Sequence, residues 1–224
     1  MAIDSDRGAG LAERRFQAVI FDMDGTLIDS TPAVLRAWTT WALQQDVPAE
    51  ALNGFHGVPS AGVVAAVLPA DRQAAGLELI NRLELTDTEG IVPLPGATGA
   101  LAELPPDRIA IATSCTAPLA AARLAASGLV APKVLVTVDD VERGKPAPDP
   151  YLKAAELLGF DPTSCLVVED APKGLQSAHA AGAATLAVVT TSPRDELLAD
   201  LVVPDLSAVD WLINDDLTIS VGRR

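Results

Sequence analysis

The chain has 224 residues, 30 acidic against 16 basic side chains, a formal net charge of −14 and 49% hydrophobic residues. An apolar fraction this high at this length can bury a core, which excludes disorder as the main state. So negative a chain also repels nucleic acid and anionic membrane surfaces, which attract clustered Lys and Arg, and leaves a small anion escorted by a cation as the easiest charged partner.

Residues 1–15 mix Asp4, Asp6 and Glu13 with Arg7, Arg14 and Arg15 and lack a signal-peptide apolar core, so a loose leader is expected there. The run Ala61 to Ala70 falls far short of the roughly 20 residues of a membrane span. Cys115 and Cys165 carry no metal or redox spacing and fit a reduced, cytoplasmic compartment.

Short, largely apolar runs at Ala18 to Phe21, Ile109 to Ala112, Val134 to Val138, Cys165 to Val168 and Thr185 to Val189 are separated by helix-length segments. This predicts an α/β fold whose parallel sheet is covered on both faces. Thr116 and Pro118 open a helix that ends before Gly128; further helices stop at Gly159 and Gly182. Between the first two runs, 31–94 shows helical patterns and no strand: Val34, Trp38 and Trp41 at helical spacing, a break at Gly54 to Pro59, then Ser60 to Leu68 and Asp71 to Leu85. It is too long for one crossover helix and reads as a small helical insert. Trp38 and Trp41 are assigned to its packing. The expected division is a core of 16–30 and 95–205, an insert of 31–94 and an acidic C-terminal tail, 206–224. Seven acids and one base fall between Arg194 and Asp216.

The chemistry gathers at strand ends. Asp22-Met23-Asp24-Gly25-Thr26-Leu27 follows the first strand, where open α/β sheets bind ligands. Two acids this close repel unless a cation or shared proton compensates. Thr113-Ser114 follows the second strand with hydroxyl and amide donors. Lys145 is framed by Gly144 and Pro146. Glu169-Asp170 closes a later strand.

Together the strings Phe21-Asp22-Met23-Asp24-Gly25-Thr26-Leu27, Ala112-Thr113-Ser114, Gly144-Lys145-Pro146-Ala147-Pro148-Asp149-Pro150 and Val168-Glu169-Asp170-Ala171 resemble the haloacid dehalogenase superfamily of phosphohydrolases, over Phe16 to Val203. Phe55-His56-Gly57 and Thr88 to Gly96 are similar to its small sugar-phosphate and glycerol-phosphate phosphatases. The resemblance implies a Rossmann-like core with a helical cap inserted after the first strand, and a magnesium-dependent phosphomonoesterase. Asp22 is then the nucleophile and Asp24 the acid and base. Mg2+ sits on Asp22, the backbone carbonyl of Asp24, and Asp170. Thr113, Ser114, Gly25 and Thr26 bind the phosphoryl group, Lys145 offsets its charge, and Glu169 orients Lys145 or a metal-bound water.

Within that superfamily, Asp24 argues against dehalogenation, and the absence of any lysine before Lys133 argues against Schiff-base phosphonatase chemistry. A phosphosugar mutase remains the alternative, and a catalytically dead phosphate-binding protein a further one. The expected partner is a small phosphorylated metabolite, with no nucleic acid or membrane; a monomer is compatible with this and nothing fixes the oligomeric state. His56 is the substrate-contact candidate in the insert, with Glu84 and Glu89 comparable; His179 reads as packing or surface.

Overall fold

A computed structural model describes residues 10, 11, 13–54 and 58–224. Six parallel strands form one sheet: β1 (Ala18–Phe21), β4 (Ile109–Ala112), β5 (Val134–Val136), β6 (Cys165–Glu169), β7 (Ala184–Val188) and β8 (Leu201–Val203), in the order β5-β4-β1-β6-β7-β8. All residues of β1, β4, β6 and β7 are buried, so these strands read as largely apolar runs, with Thr185 inside β7 and Glu169 closing β6. Strand alternation sends Val19 and Phe21 to one face, Ala18 and Ile20 to the other.

On the Ala18 face lie α6 (Asp149–Leu158) and α7 (Pro172–Ala180), contributing Tyr151, Ala154, Ala155 and Ala178. Alanines there let the helices approach closely. On the Val19 face lie α4 (Ala97–Glu103) and α5 (Ala117–Ser127), with Ala97, Ala100, Leu119, Ala120 and Leu124. The chain departs from β1 to β4 on one side and pairs β6 on the other, so the strand order reverses beside β1 and opens a crevice at its C-terminal end.

After β1 the chain crosses to the segment 31–94 and back through two short strands, β2 (Ile28–Asp29) and β3 (Val92–Pro93), which pair antiparallel. Between them stand α1 (Thr31–Gln45), α2 (Ser60–Val67) and α3 (Ala70–Thr86). They share their own apolar cluster of Ala37, Trp41, Ala42, Val64, Leu68, Leu79 and Ile80. Trp41 is fully buried, donates its indole N–H to the Gly76 carbonyl at 2.7 Å and meets Trp38 edge to face at 5.2 Å.

Two expectations about the ends are corrected. Most of the leader lies outside the described residues, but Leu11 is buried in the core and Arg14 lies over the Phe16 ring at 5.2 Å. The expected acidic tail instead holds a hairpin of β9 (Val209–Ile213) and β10 (Ile219–Arg223), with Val209, Ile219 and Val221 buried. Phe16 and Ile219 exchange backbone hydrogen bonds at 2.8 Å. The acids sit where turns need them: Asp205 accepts from the Ser207 N–H, Asp216 from the Thr218 N–H, and Asp200 from the Thr185 N–H of β7. Val134 to Val138 also ends earlier than expected, because Thr137 caps a short turn in which its N–H and hydroxyl donate to Asp140.

Candidate active site

Asp22 is the first residue beyond β1, and its N–H donates to the Val168 carbonyl of β6 at 2.9 Å. That bond seats its side chain against Glu169 and Asp170 at the end of the neighbouring strand. The loop before α6 brings in Lys145, whose Nζ donates to Asp22 Oδ1 at 2.5 Å and Glu169 Oε1 at 2.7 Å. Glu169 Oε1 also accepts from the Tyr151 hydroxyl at 2.7 Å, and Oε2 from the N–H groups of Asp170 and Ala171 at 3.0 and 3.1 Å. A Cβ at Gly174 of α7 would run into the Glu169 carboxylate, so only glycine fits there.

Asp170 is held by hydroxyls: Thr26 Oγ1 donates to Oδ1 at 3.1 Å, and Thr191 Oγ1 donates to Oδ2. The Thr26 hydroxyl, expected at the phosphoryl group, is thus engaged with the Asp170 carboxylate. Gly25 has φ of 84°, a left-handed turn, and any Cβ there would strike the Asp170 carboxylate. Thr113 is buried beyond β4 and its Oγ1 accepts from the Cys115 N–H at 3.1 Å; Ser114 follows, half-buried. His56 and the Phe55-His56-Gly57 string lie outside the described residues.

Burial pushes the Asp22 carboxyl well above its ordinary pKa, against the pull of Lys145. Burial, and then Glu169, push Asp170 up to about 7. Burial works against the Lys145 ammonium, but Asp22 and Glu169 outweigh it and hold its pKa well above the ordinary value. Asp22, Glu169 and Asp170 each offer an oxygen within 4.8 Å of the others. Three buried carboxylates around one ammonium, with all-oxygen donors, fit a hard divalent cation such as Mg2+. The Asp24 side chain is not in this cluster. Its Oδ1 accepts from Ser30 Oγ at 2.5 Å and from Arg123 at 2.9 Å, and its Oδ2 from the Cys115 thiol at 3.1 Å. Both oxygens of the Asp24 side chain are thus engaged away from the three carboxylates.

Sequence reasoning missed Arg123, Tyr151 and Thr191. Arg123 did leave a signal, standing on the apolar face of α5 with Leu119, Ala120 and Leu124. Tyr151 and Thr191 left none, because their role depends on partners brought together only by the sheet. Beside the carboxylates, a cleft of about 310 Å³ is lined by Gly25, Asp29, Thr31, Pro32, Leu94, Thr190 and Thr191.

Residues 16–182 match the model of the haloacid dehalogenase-like hydrolases. Hexitol phosphatase A of Escherichia coli strain K12 is 41% identical over 216 residues, covering 94% of this chain and 96% of that protein. Glycerol-1-phosphate phosphohydrolase 2 of Saccharomyces cerevisiae is 34% identical, covering 82% of this chain and 78% of that protein. Among solved structures, a hydrolase from Pseudomonas syringae superposes with a TM-score of 0.77 at 29% identity, covering 85% of this chain and 94% of that one.

Proposed function

The chain belongs to the haloacid dehalogenase-like hydrolases, and on that premise we propose that it hydrolyses the phosphomonoester of a small sugar, sugar alcohol or glycerol. The observation that carries this is the pairing of a buried Asp22, held by Lys145 at 2.5 Å beside Asp170, with a second acid, Asp24, kept apart on its own set of donors. In this reading Asp22 attacks phosphorus in line while the bond to the leaving oxygen breaks. Asp24 gives that oxygen a proton, and an aspartyl-phosphate remains on Asp22. Asp24 then takes a proton from water, which attacks phosphorus, frees phosphate and restores Asp22. Lys145 pulls the Asp22 carboxyl back toward its anionic form against burial and shares the charge of the phosphoryl oxygens, which Thr113 and Ser114 hold. Asp22, Asp170 and the carbonyl of Asp24 are the residues that would hold Mg2+, whose charge neutralisation lets two anions meet. Glu169 acts through Lys145, with Tyr151 and two backbone N–H groups fixing its carboxylate.

We read 31–94 as the cap that shapes the substrate site. Among the described residues no helix is long and apolar enough to cross a membrane. The unpaired Cys115 and Cys165 are consistent with a reduced compartment, and we assign the cytoplasm on that ground.

The test is phosphate release from sorbitol 6-phosphate, glycerol 1-phosphate, fructose 1-phosphate and 2-deoxyglucose 6-phosphate, with Mg2+ or with EDTA. The expected result is Mg2+-dependent release with one polyol or sugar class clearly preferred. No release with any substrate would overturn the reading, and transfer to a second substrate hydroxyl without free phosphate would replace it by a mutase.

A further inference from the structure

Arg123 is 4% exposed on the face of α5 that Leu119, Ala120 and Leu124 pack into the core. A guanidinium is costly in such a place unless carboxylates meet it. Two do, from different parts of the fold. Its Nη1 donates to Asp24 Oδ1 at 2.9 Å, and its Nη2 to Glu84 Oε1 at 3.0 Å. Glu84 belongs to α3 in the helical segment, is 5% exposed, and accepts from Ser60 of α2 through Oε2 at 3.0 Å. Because a guanidinium is a rigid planar fork, fixing Nη2 against Glu84 also fixes the direction from which Nη1 meets Asp24.

The two oxygens of Asp24 are held unequally. Oδ1 carries the Arg123 ion pair and the Ser30 hydroxyl; Oδ2 faces the Cys115 thiol. Charge-assisted and hydroxyl hydrogen bonds are strong, whereas an S–H is a weak donor that yields to a better partner. Oδ1 is thus the anchored oxygen and Oδ2 the exchangeable one.

We propose that Arg123 is the positioning residue for Asp24: anchored by Glu84 from the cap, it pins Oδ1 so that Oδ2 meets the oxygen leaving phosphorus. In the turnover that begins with Asp24 protonated on Oδ2, this proton passes to that oxygen as the P–O bond breaks and its electron pair stays on the oxygen, and the carboxylate left behind is the form Arg123 pairs with. This rests on the phosphatase reading above and adds a specific consequence. Delivery of the acid depends on the cap being seated, because one end of the ion-pair chain lies on the cap.

The test separates leaving groups. An alkoxide needs the Asp24 proton to depart; p-nitrophenolate does not. Phosphoenzyme formation in a single turnover is therefore measured with glycerol 1-phosphate and with p-nitrophenyl phosphate, for wild type, Arg123→Met, Arg123→Lys and the paired Arg123→Met/Glu84→Met, which removes both buried charges together. The expected result for Arg123→Met and the paired variant is a fall in the alkyl-to-aryl rate ratio of roughly tenfold to a hundredfold, part of the span that general acid catalysis provides. Arg123→Lys, which keeps one donor, restores part of the ratio. An equal loss with both substrates, or an unchanged ratio in the folded paired variant, would assign Arg123 to structure alone. Wild type that forms no phosphoenzyme from either compound would instead bring down the phosphatase reading itself, and this proposal with it.

Discussion

Tyr151→Phe removes one oxygen atom from the core and gives a clean measure of what Glu169 needs. Tyr151 is fully buried, and its hydroxyl donates to Glu169 Oε1 at 2.7 Å. The Lys145 ammonium lies 4.9 Å from the centre of the same ring, and a phenylalanine ring keeps that contact. The substitution therefore deletes the hydrogen bond while leaving the packing and the cation over the ring. A bond to a charged acceptor contributes about 1.5–3 kcal/mol. Glu169 retains Lys145 and two backbone donors, so its charge is not stranded, and a loss of about 2 kcal/mol is expected. In a chain of 224 residues that lowers Tm by about 4–8 °C. Scanning calorimetry on both proteins, paired with guanidinium unfolding, measures it. A double-mutant cycle with Glu169→Gln must also show coupling, because the two substitutions act on one bond. A Tm within about 1 °C of wild type, or strictly additive effects, would refute the view that this hydroxyl supports Glu169.

Gly174→Ala sets two effects against each other: alanine favours the helix by up to about 1 kcal/mol, but its Cβ collides with the Glu169 carboxylate, and overpacking costs about 1–3 kcal/mol. Net destabilisation with reduced phosphatase turnover is expected, and a stabilised, fully active variant would contradict the packing. Asp22→Asn should retain the wild-type circular dichroism spectrum while losing turnover and failing to trap phosphate covalently; residual phosphoenzyme by mass spectrometry would remove Asp22 as nucleophile. Backbone and hydroxyl donation from Thr137 holds Asp140 below its ordinary pKa of 3.8, so its ionised form stabilises the fold above that value and the benefit disappears as pH falls through the lowered pKa. Asp140→Asn should accordingly be less stable at neutral pH, with the difference from wild type shrinking as the pH falls below the ordinary carboxylate range in thermal unfolding; a constant difference would exclude Asp140 as the titrating group.

The sheet was legible because buried parallel strands need no alternation, and Ala18 to Phe21 or Cys165 to Val168 stand out as compact runs between helices. β8 was not, since three residues, Leu201 to Val203, lie among acids that suggest solvent. The same acids concealed the hairpin. Charge was read as exposure, whereas Asp205 and Asp216 serve turns, and the alternation of buried Ile219 and Val221 was the available clue. At the site, the acids and Lys145 could be found from local strings, because each sits at a strand end or in a proline-framed turn. The partners of the Asp24 side chain could not, because Arg123 and Cys115 are brought to it only by the folded chain. The Thr26 hydroxyl's carboxylate partner, Asp170, was hidden for the same reason, since it lies far along the chain.

β1 lies in the middle of the sheet yet is made first among its strands, and its partners, residues 109–111 and 165–168, come only after the helical segment. During synthesis from the N-terminus, the strand bearing Asp22 has no neighbour to pair with while 31–94 emerges, and that segment can gather around its own apolar cluster of Trp41, Leu79 and Ile80. The order of assembly is therefore inverted relative to the order of sequence: the helical insert can fold early from local contacts, and the strand that precedes it is completed only afterwards by long-range ones. Until residue 168 is available, the apolar Val19, Ile20 and Phe21 lack one of their two flanking strands. A chain arrested before that point exposes the very run that later becomes the centre of the protein, which leaves an unpaired apolar edge of the kind that draws incomplete chains together.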